Sequence, residues 1–278
     1  MERPIPKAPG FFASALRVFD FSVGEMLWSR RTIFMALVVG APVVISVVMR
    51  VLDALGAPIF RVNGMTMAGP AIFGLMIWVF YLRFTVPVLG VFYGTSLIAD
   101  EVEDKTITYL FTRPIPKGSV LVGKYLAYLA CTFFVVLPSV VIVYLCIVPL
   151  RGSLGGSFLD LLKDLAMLTV GLAAYGAVFA FIGARFKRPL LIGLFFIFGW
   201  EPTALAFPGY LKNFTVAYYV QAMVPHAMPN DSVMSLIQGI FRETPSLGQS
   251  LISLAVILGL FLWAAAVSVE RKEYILEQ

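Results

Sequence analysis

The sequence is short of charge. Asp, Glu, Lys and Arg supply 13% of its 278 residues, where a soluble domain carries about a quarter. Hydrophobic residues reach 60%. A soluble fold built from this mixture would turn too much apolar surface toward water, so the economical reading is an integral membrane protein. Histidine is nearly absent, with His226 standing alone. No histidine cluster can therefore form within one chain, for a metal or for base catalysis. Met223, His226 and Met228 could together suit a soft metal, but scattered methionines in an apolar loop are the plainer reading. Cysteine is scarce too. Cys131 and Cys146 lie on one apolar stretch, about 22 Å apart if helical, whereas a disulfide needs Cα atoms within about 7 Å. Both read as packing residues. Alternating ten-residue strands are missing, which excludes a membrane barrel, and nothing resembles a serine-nucleophile elbow. Residues 1–10 carry no apolar run and do not read as a cleavable leader.

What is present is a series of long apolar segments, at 32–52, 70–99, 119–149, 164–184, 189–207 and 249–269. About 20 such residues cross a bilayer, so six spans are expected. The second and third exceed what the bilayer needs, and each should tilt or project beyond it. Gly40-Ala41-Pro42, Pro87 and Pro138 mark expected bends. The fourth carries Ala173/Ala177 and Gly176/Ala180/Ala184, small residues four apart that let another helix approach closely. Residues 208–248 are apolar, aromatic and broken by Pro208, Pro225 and Pro229. They read as short helices dipping into the outer leaflet, where irregular backbone must be buried or line a wet cavity.

Orientation follows from the basic residues. With both termini inside, fourteen of the 21 Lys and Arg fall on the inner side, six on the outer side, and Arg83 within a span. That bias supports an even number of spans with cytosolic ends. The net charge of +5 could suggest nucleic acid, but in a membrane protein it reflects inner loops that meet anionic lipid. No nucleic-acid partner is expected. Ahead of the first span, Phe12, Leu16, Phe19, Val23, Met26 and Leu27 recur at helical steps. Residues 1–31 are read as a cytosolic segment holding a helix in the membrane surface, with Trp28 at headgroup level and Arg30-Arg31 as an anchor.

One stretch breaks the apolar pattern. Seven charged residues fall between Asp100 and Lys117, followed by Gly118-x4-Gly123-Lys124. The glycine spacing imitates a phosphate-binding loop, but Tyr125 replaces the required Ser or Thr and no strand precedes it. Lys124 is expected to extend its ammonium to the inner interface. From Glu101 to Thr112 a short helix can sort its residues. Ile107, Leu110 and Phe111 share one face, while Glu103, Asp104 and Thr108 take another. Arg113-Pro114 stops it. A plain loop needs no apolar face, whereas a helix docking into a partner's groove does.

The run EVEDKTITYLFTRPIPKGSVLVGKYLA resembles the signature of permease subunits in the type-2 class of ABC exporters. The match runs through Glu101, Glu103, Lys105, Thr106, Thr112, Arg113, Pro114, Gly123 and Lys124, with Lys117 where that family often has arginine. The resemblance implies an all-α integral membrane protein. Its parts would be an N-terminal interfacial helix, six transmembrane helices over 32–269, a cytosolic coupling helix at 100–113, the outer re-entrant segment and a cytosolic tail at 270–278. It implies a second permease copy or a paralogue, and a separate cytosolic ABC ATPase that holds ATP and magnesium. This chain would then bind no cofactor and catalyse nothing. Residues 185–188 would form a second, shorter inner contact. The coupling interface expected is Glu101, Glu103, Lys105, Thr106, Ile107, Phe111, Thr112, Arg113 and Pro114. The charges set register, and Ile107 and Phe111 supply buried area. The short tail leaves no room for a fused ATPase. The setting implied is a bacterial plasma membrane, in contact with its lipids and an unidentified cargo.

Arg83 sits inside the second span, at a cost of ~2.5–3.5 kcal/mol on insertion scales, so it should face water or protein. A translocation path is one reading and a structural ion pair is the other. Glu201 is a candidate partner, although counting helix rise puts the two about 10 Å apart in depth. A self-sufficient secondary transporter should show internal repeats, and none is visible. An intramembrane enzyme would need clustered acids or histidine, for which only residues 100–105 qualify.

Overall fold

A computed structural model describes residues 10–56, 61–62, 65–66, 68–103, 116–150, 152–207, 209–224 and 245–271. The described architecture is all-helical apart from one very short hairpin. Helix α1 (Phe11–Leu27) precedes α2 (Arg30–Ala54). Two antiparallel two-residue strands follow, β1 (Arg61–Val62) and β2 (Met65–Thr66). Then come α3 (Gly69–Glu101), α4 (Lys117–Ile147), α5 (Phe158–Arg185) and α6 (Pro189–Ala206). A 3-10 turn (Tyr210–Phe214) and α7 (Val216–Gln221) lie between α6 and α8 (Leu247–Arg271). Among the described residues, six helices are long and apolar enough to cross a bilayer, namely α2, α3, α4, α5, α6 and α8.

The helix bounds have physical causes. At 1.5 Å per residue, α3 and α4 run about 50 Å and about 46 Å, well beyond a hydrocarbon core of about 30 Å. The fourth span begins at Phe158 rather than 164, because the charges of Asp160 and Lys163 lower hydropathy without opposing a helix. Their side chains pair at 3.4 Å, three residues apart and exposed. Helix α3 widens into π turns at Ile77–Thr85, just ahead of Pro87. Proline offers no backbone N–H, and a wider turn redistributes the carbonyls that lose a partner. The hairpin between α2 and α3 is absent from the sequence expectation. Asn63-Gly64 between its strands is the dipeptide that signals such a connection.

Helices α3 and α5 form the centre of the bundle, and α8 is the least buried span. The stripe of small residues on α5 makes the closest contact. Ala177, Ala180 and Ala184 are wholly buried. A Cβ added at Gly183 would lie 2.2 Å from the Thr95 carbonyl oxygen of α3, which real Cβ atoms do not approach. The backbones touch there, as small residues allow in lipid. Tyrosine hydroxyls complete the joints. Tyr81 and Ser139 Oγ share a hydrogen bond of 3.0 Å between α3 and α4. Tyr125 donates to the Ala173 carbonyl at 2.7 Å and Tyr128 to the Leu172 carbonyl at 3.0 Å, joining α4 to α5. Cys131 and Cys146 both lie on α4 and are free. Large apolar side chains point outward on α2 (Ile33, Leu37, Val48) and on α8 (Ile252, Val256, Trp263), as a lipid-facing wall requires.

Gly183→Val should force α5 off α3 and cost about 1–3 kcal/mol. Heating detergent-solubilised protein and following its monodisperse fraction by size-exclusion chromatography should show a lower midpoint than wild type. Gly259→Val on α8, where nothing lies within 4 Å of the added Cβ, should leave the midpoint unchanged.

Candidate functional site

Residues 104–115 lie outside the described residues, and with them Lys105, Thr106, Ile107, Phe111, Thr112, Arg113 and Pro114. Of the expected coupling residues, Glu101 is described with its side chain. Glu103 is described by its backbone, which ends the helical stretch Ser96–Glu103. His226 and Met228 also fall outside. What the structure shows is the base from which the charged segment leaves and to which it returns.

That base is closed by an ion pair. The Lys124 ammonium of α4 donates to Glu101 Oε1 of α3. The Lys124 side chain is 10% exposed and that of Glu101 17%. Lys124 was expected to reach for the inner interface, and that expectation is corrected here. Helix α1 packs on the same turn of α4. A Cβ at Gly123 would fall 2.6 Å from the Ala15 carbonyl oxygen and 2.8 Å from Val18 Cβ. The glycine permits the contact, and the lysine turns inward to a carboxylate. The phosphate-loop spacing thus has another origin: Gly118 to Lys124 is helix throughout, within Lys117–Ile147.

Helix α1 divides into three faces. Ser14, Ala15 and Ser22 are buried, with Val18 half-buried in the same stripe, and this small face lies on α4. At about 100° per residue, Phe12, Leu16 and Leu27 occupy a flank, all exposed. Arg17, Asp20 and Gly24 occupy the far side. One face for protein, one apolar and one polar is the pattern of a helix at a membrane surface. The start of α1, the start of α4 and the end of α8 meet at one point. A Cβ at Gly118 would lie 3.6 Å from both the Phe11 ring and the Glu270 carboxylate.

The two other expected site residues lie elsewhere. Glu201 is buried at the start of the last α-helical stretch of α6. Its Oε2 accepts from the Tyr175 hydroxyl at 2.6 Å. Its Oε1 accepts from the backbone amides of Val216 and Ala217 at 3.1 and 3.2 Å. The carboxylate therefore caps α7 and ties α5, α6 and α7 together. Arg83 is exposed on α3, its guanidinium 5.1 Å from the centre of the Trp78 ring. The two charges lie within electrostatic reach, but no ion-pair contact joins them among the described residues. The pairing considered from sequence is corrected: two amides and a tyrosine already satisfy Glu201. Sequence reasoning also missed Tyr175, which no pattern distinguishes from the other span tyrosines. It missed the Glu101–Lys124 pair as well, although an acid and a base close to the two ends of one charged loop were a usable signal.

A family model described as ABC-2 family transporter protein matches residues 19–274. No curated protein matches the chain.

Removing one half of a buried ion pair leaves the other half uncompensated, at a cost of about 3 kcal/mol when both are well covered. Lys124→Met should therefore lower the thermal midpoint, and Glu101→Lys should do the same. Glu101→Lys combined with Lys124→Glu should recover at least part of the loss. A double mutant no better than the sum of the singles would show that the pair contributes no coupling energy.

Proposed function

Because the chain belongs to the ABC-2 transporter family, we propose that it is the permease half of an ATP-driven exporter, worked by a separate ATPase chain that docks at residues 100–113. Family and fold together support a multi-pass membrane component of an ABC transporter. Members of this family are transport components, generally without catalysis of their own. The rest of the proposal is more specific. ATP and magnesium are held by the partner, this chain pairs with a second copy or a paralogue, both termini are cytosolic, and the setting is a bacterial plasma membrane. Glu103, Lys105, Thr106, Thr112, Arg113 and Pro114 supply the polar contacts of the docking helix, and Ile107 and Phe111 its apolar face.

The observation that carries this reading is the ion pair between Glu101 and Lys124. A lever transmits displacement only if it is rigid against what it moves. Here the helix entering the charged segment and the helix leaving it are fastened to each other. One is also in backbone contact with α5, through Thr95 and Gly183, and the other with α1, through Gly123 and Ala15. A push on residues 104–115 would reach α3 and α4 together.

An affinity-tagged chain drawn gently from native membranes should bring a soluble ATPase with it. Phe111→Asp should still insert and fold. It should lose at least tenfold of the ATP-dependent transport, or of the permease-dependent change in ATPase rate, by analogy with the loss of a buried interface anchor. Normal ATPase recovery and normal coupling in that variant would remove the docking helix from the account.

A further inference from the structure

We propose that Arg83, with Trp78 behind it, is a recognition site for an amphiphilic organic anion near the middle of α3, and that it selects the cargo by charge. The inference rests on the permease reading and adds a substrate class to it. Three observations carry it. The first is depth. Arg83 stands fourteen residues from Gly69 and eighteen from Glu101 within α3, about 21 Å and about 27 Å along the axis. Neither end of the helix is within reach of the side chain, which sets Arg83 near the middle of α3.

The second is the state of its neighbours. Among the described residues Arg83 has no hydrogen-bond or ion-pair partner, although the field of the buried Glu201 carboxylate reaches it. Its contact is the face of Trp78, itself buried. Cation–π contact orients a guanidinium but leaves its five N–H donors available. Of the acids among the described residues, Glu201 and Asp164 are buried inside the bundle, Asp20 and Glu25 lie on α1, and Asp53, Asp100, Glu101, Glu103, Asp160 and Glu270 lie at the ends of helices. The described surface of a second copy therefore offers no carboxylate at this depth.

The third is the surface around it. Val79 and Phe84 are 37% and 45% exposed, and Val79 lies one turn before Arg83 on the same helix. A fixed cation flanked by open apolar side chains matches a molecule with an anionic head and an apolar body. Guanidinium forks fit carboxylate, sulfonate and phosphate alike. Charge and apolar contact together set the class, and the particular head group is left open by the geometry.

The full chain in phosphatidylcholine nanodiscs can be titrated with 8-anilinonaphthalene-1-sulfonate, read as emission above that of empty discs. N-phenyl-1-naphthylamine serves as the uncharged counterpart. Arg83→Gln should weaken sulfonate binding about tenfold or more, and Arg83→Lys, which keeps the charge, should remain within about threefold of wild type. The uncharged dye should bind all three equally, which also reports that the variants are folded. Equal sulfonate affinity in wild type and Arg83→Gln would overturn the proposal, as would an absence of saturable binding. Displacement of the dye by phosphatidylglycerol at about a fifth of the disc lipid would overturn it in favour of a resident lipid headgroup. Recovery of the ATPase partner is measured separately. A chain that keeps its ATPase but shows no Arg83 dependence loses this inference and not the permease reading.

Discussion

A carboxylate on one helix and an ammonium on the next, shielded from water, fasten together the two helices that flank the charged segment. The Glu101–Lys124 pair is formed at the place where two helices, about 50 Å and about 46 Å long by their rise, hold the ends of a charged segment. Without such a joint the two helices could respond to a force independently. Buried pairs are weak contributors to stability when compared with apolar residues of the same volume. Their value lies in fixing which groups must stay together. At this position the fixed quantity is the spacing of the two legs.

The joint holds only because the legs are themselves fastened to the bundle. Water supplies no driving force for helix association inside a bilayer, so helices must hold one another by close packing and by hydrogen bonds. Both devices occur along α3, α4 and α5. Backbone approaches backbone at Thr95 and Gly183. Tyrosine hydroxyls on α4 reach carbonyls on α5, where alanine and glycine leave room for the ring. Glu201 does the same on the other side of the bundle, with Tyr175 and two amides of α7. Each such bond is worth only about 0.6 kcal/mol in a membrane. Several of them act on the same three helices.

The spans were legible in the sequence because a bilayer imposes one rule, about 20 consecutive apolar residues, which needs no knowledge of neighbours. The small-residue stripe of α5 was legible for a related reason, since its spacing of four is a property of one helix alone. The misreadings concern neighbours. Lys124 obeys the habit of lysines near a membrane interface only if no carboxylate is nearer, and Glu101, on the preceding span, takes its ammonium. Glu201 was offered to Arg83 because both are charged. The sequence does not reveal that Val216 and Ala217 would present their amides to the carboxylate first. The face of α1 turned toward α4 had no reading from the sequence. Its large residues mark the apolar flank, and the contact is made by Ser14, Ala15 and Ser22, which no hydrophobic pattern selects. The coupling residues from Lys105 to Pro114 rest on sequence alone.

Membrane proteins treat charge within the bilayer as a cost to be cancelled, and this chain cancels it twice by visible means. Glu101 and Lys124 neutralise each other, and Glu201 takes three donors. Arg83 is the exception. It lies deeper than the ion pair, carries a charge that cannot be discharged by deprotonation, and touches only an aromatic face. An arginine required for packing alone could be replaced by leucine or methionine with a gain in insertion free energy of the order of 2.5–3.5 kcal/mol. A site that retains the penalty, with Glu201 within electrostatic reach but not in contact, has its guanidinium donors open to something anionic. Under the reading proposed above the cargo completes it, bringing its negative charge to a cation already held within the span. The same guanidinium that destabilises the empty span would then lower the barrier to the loaded one.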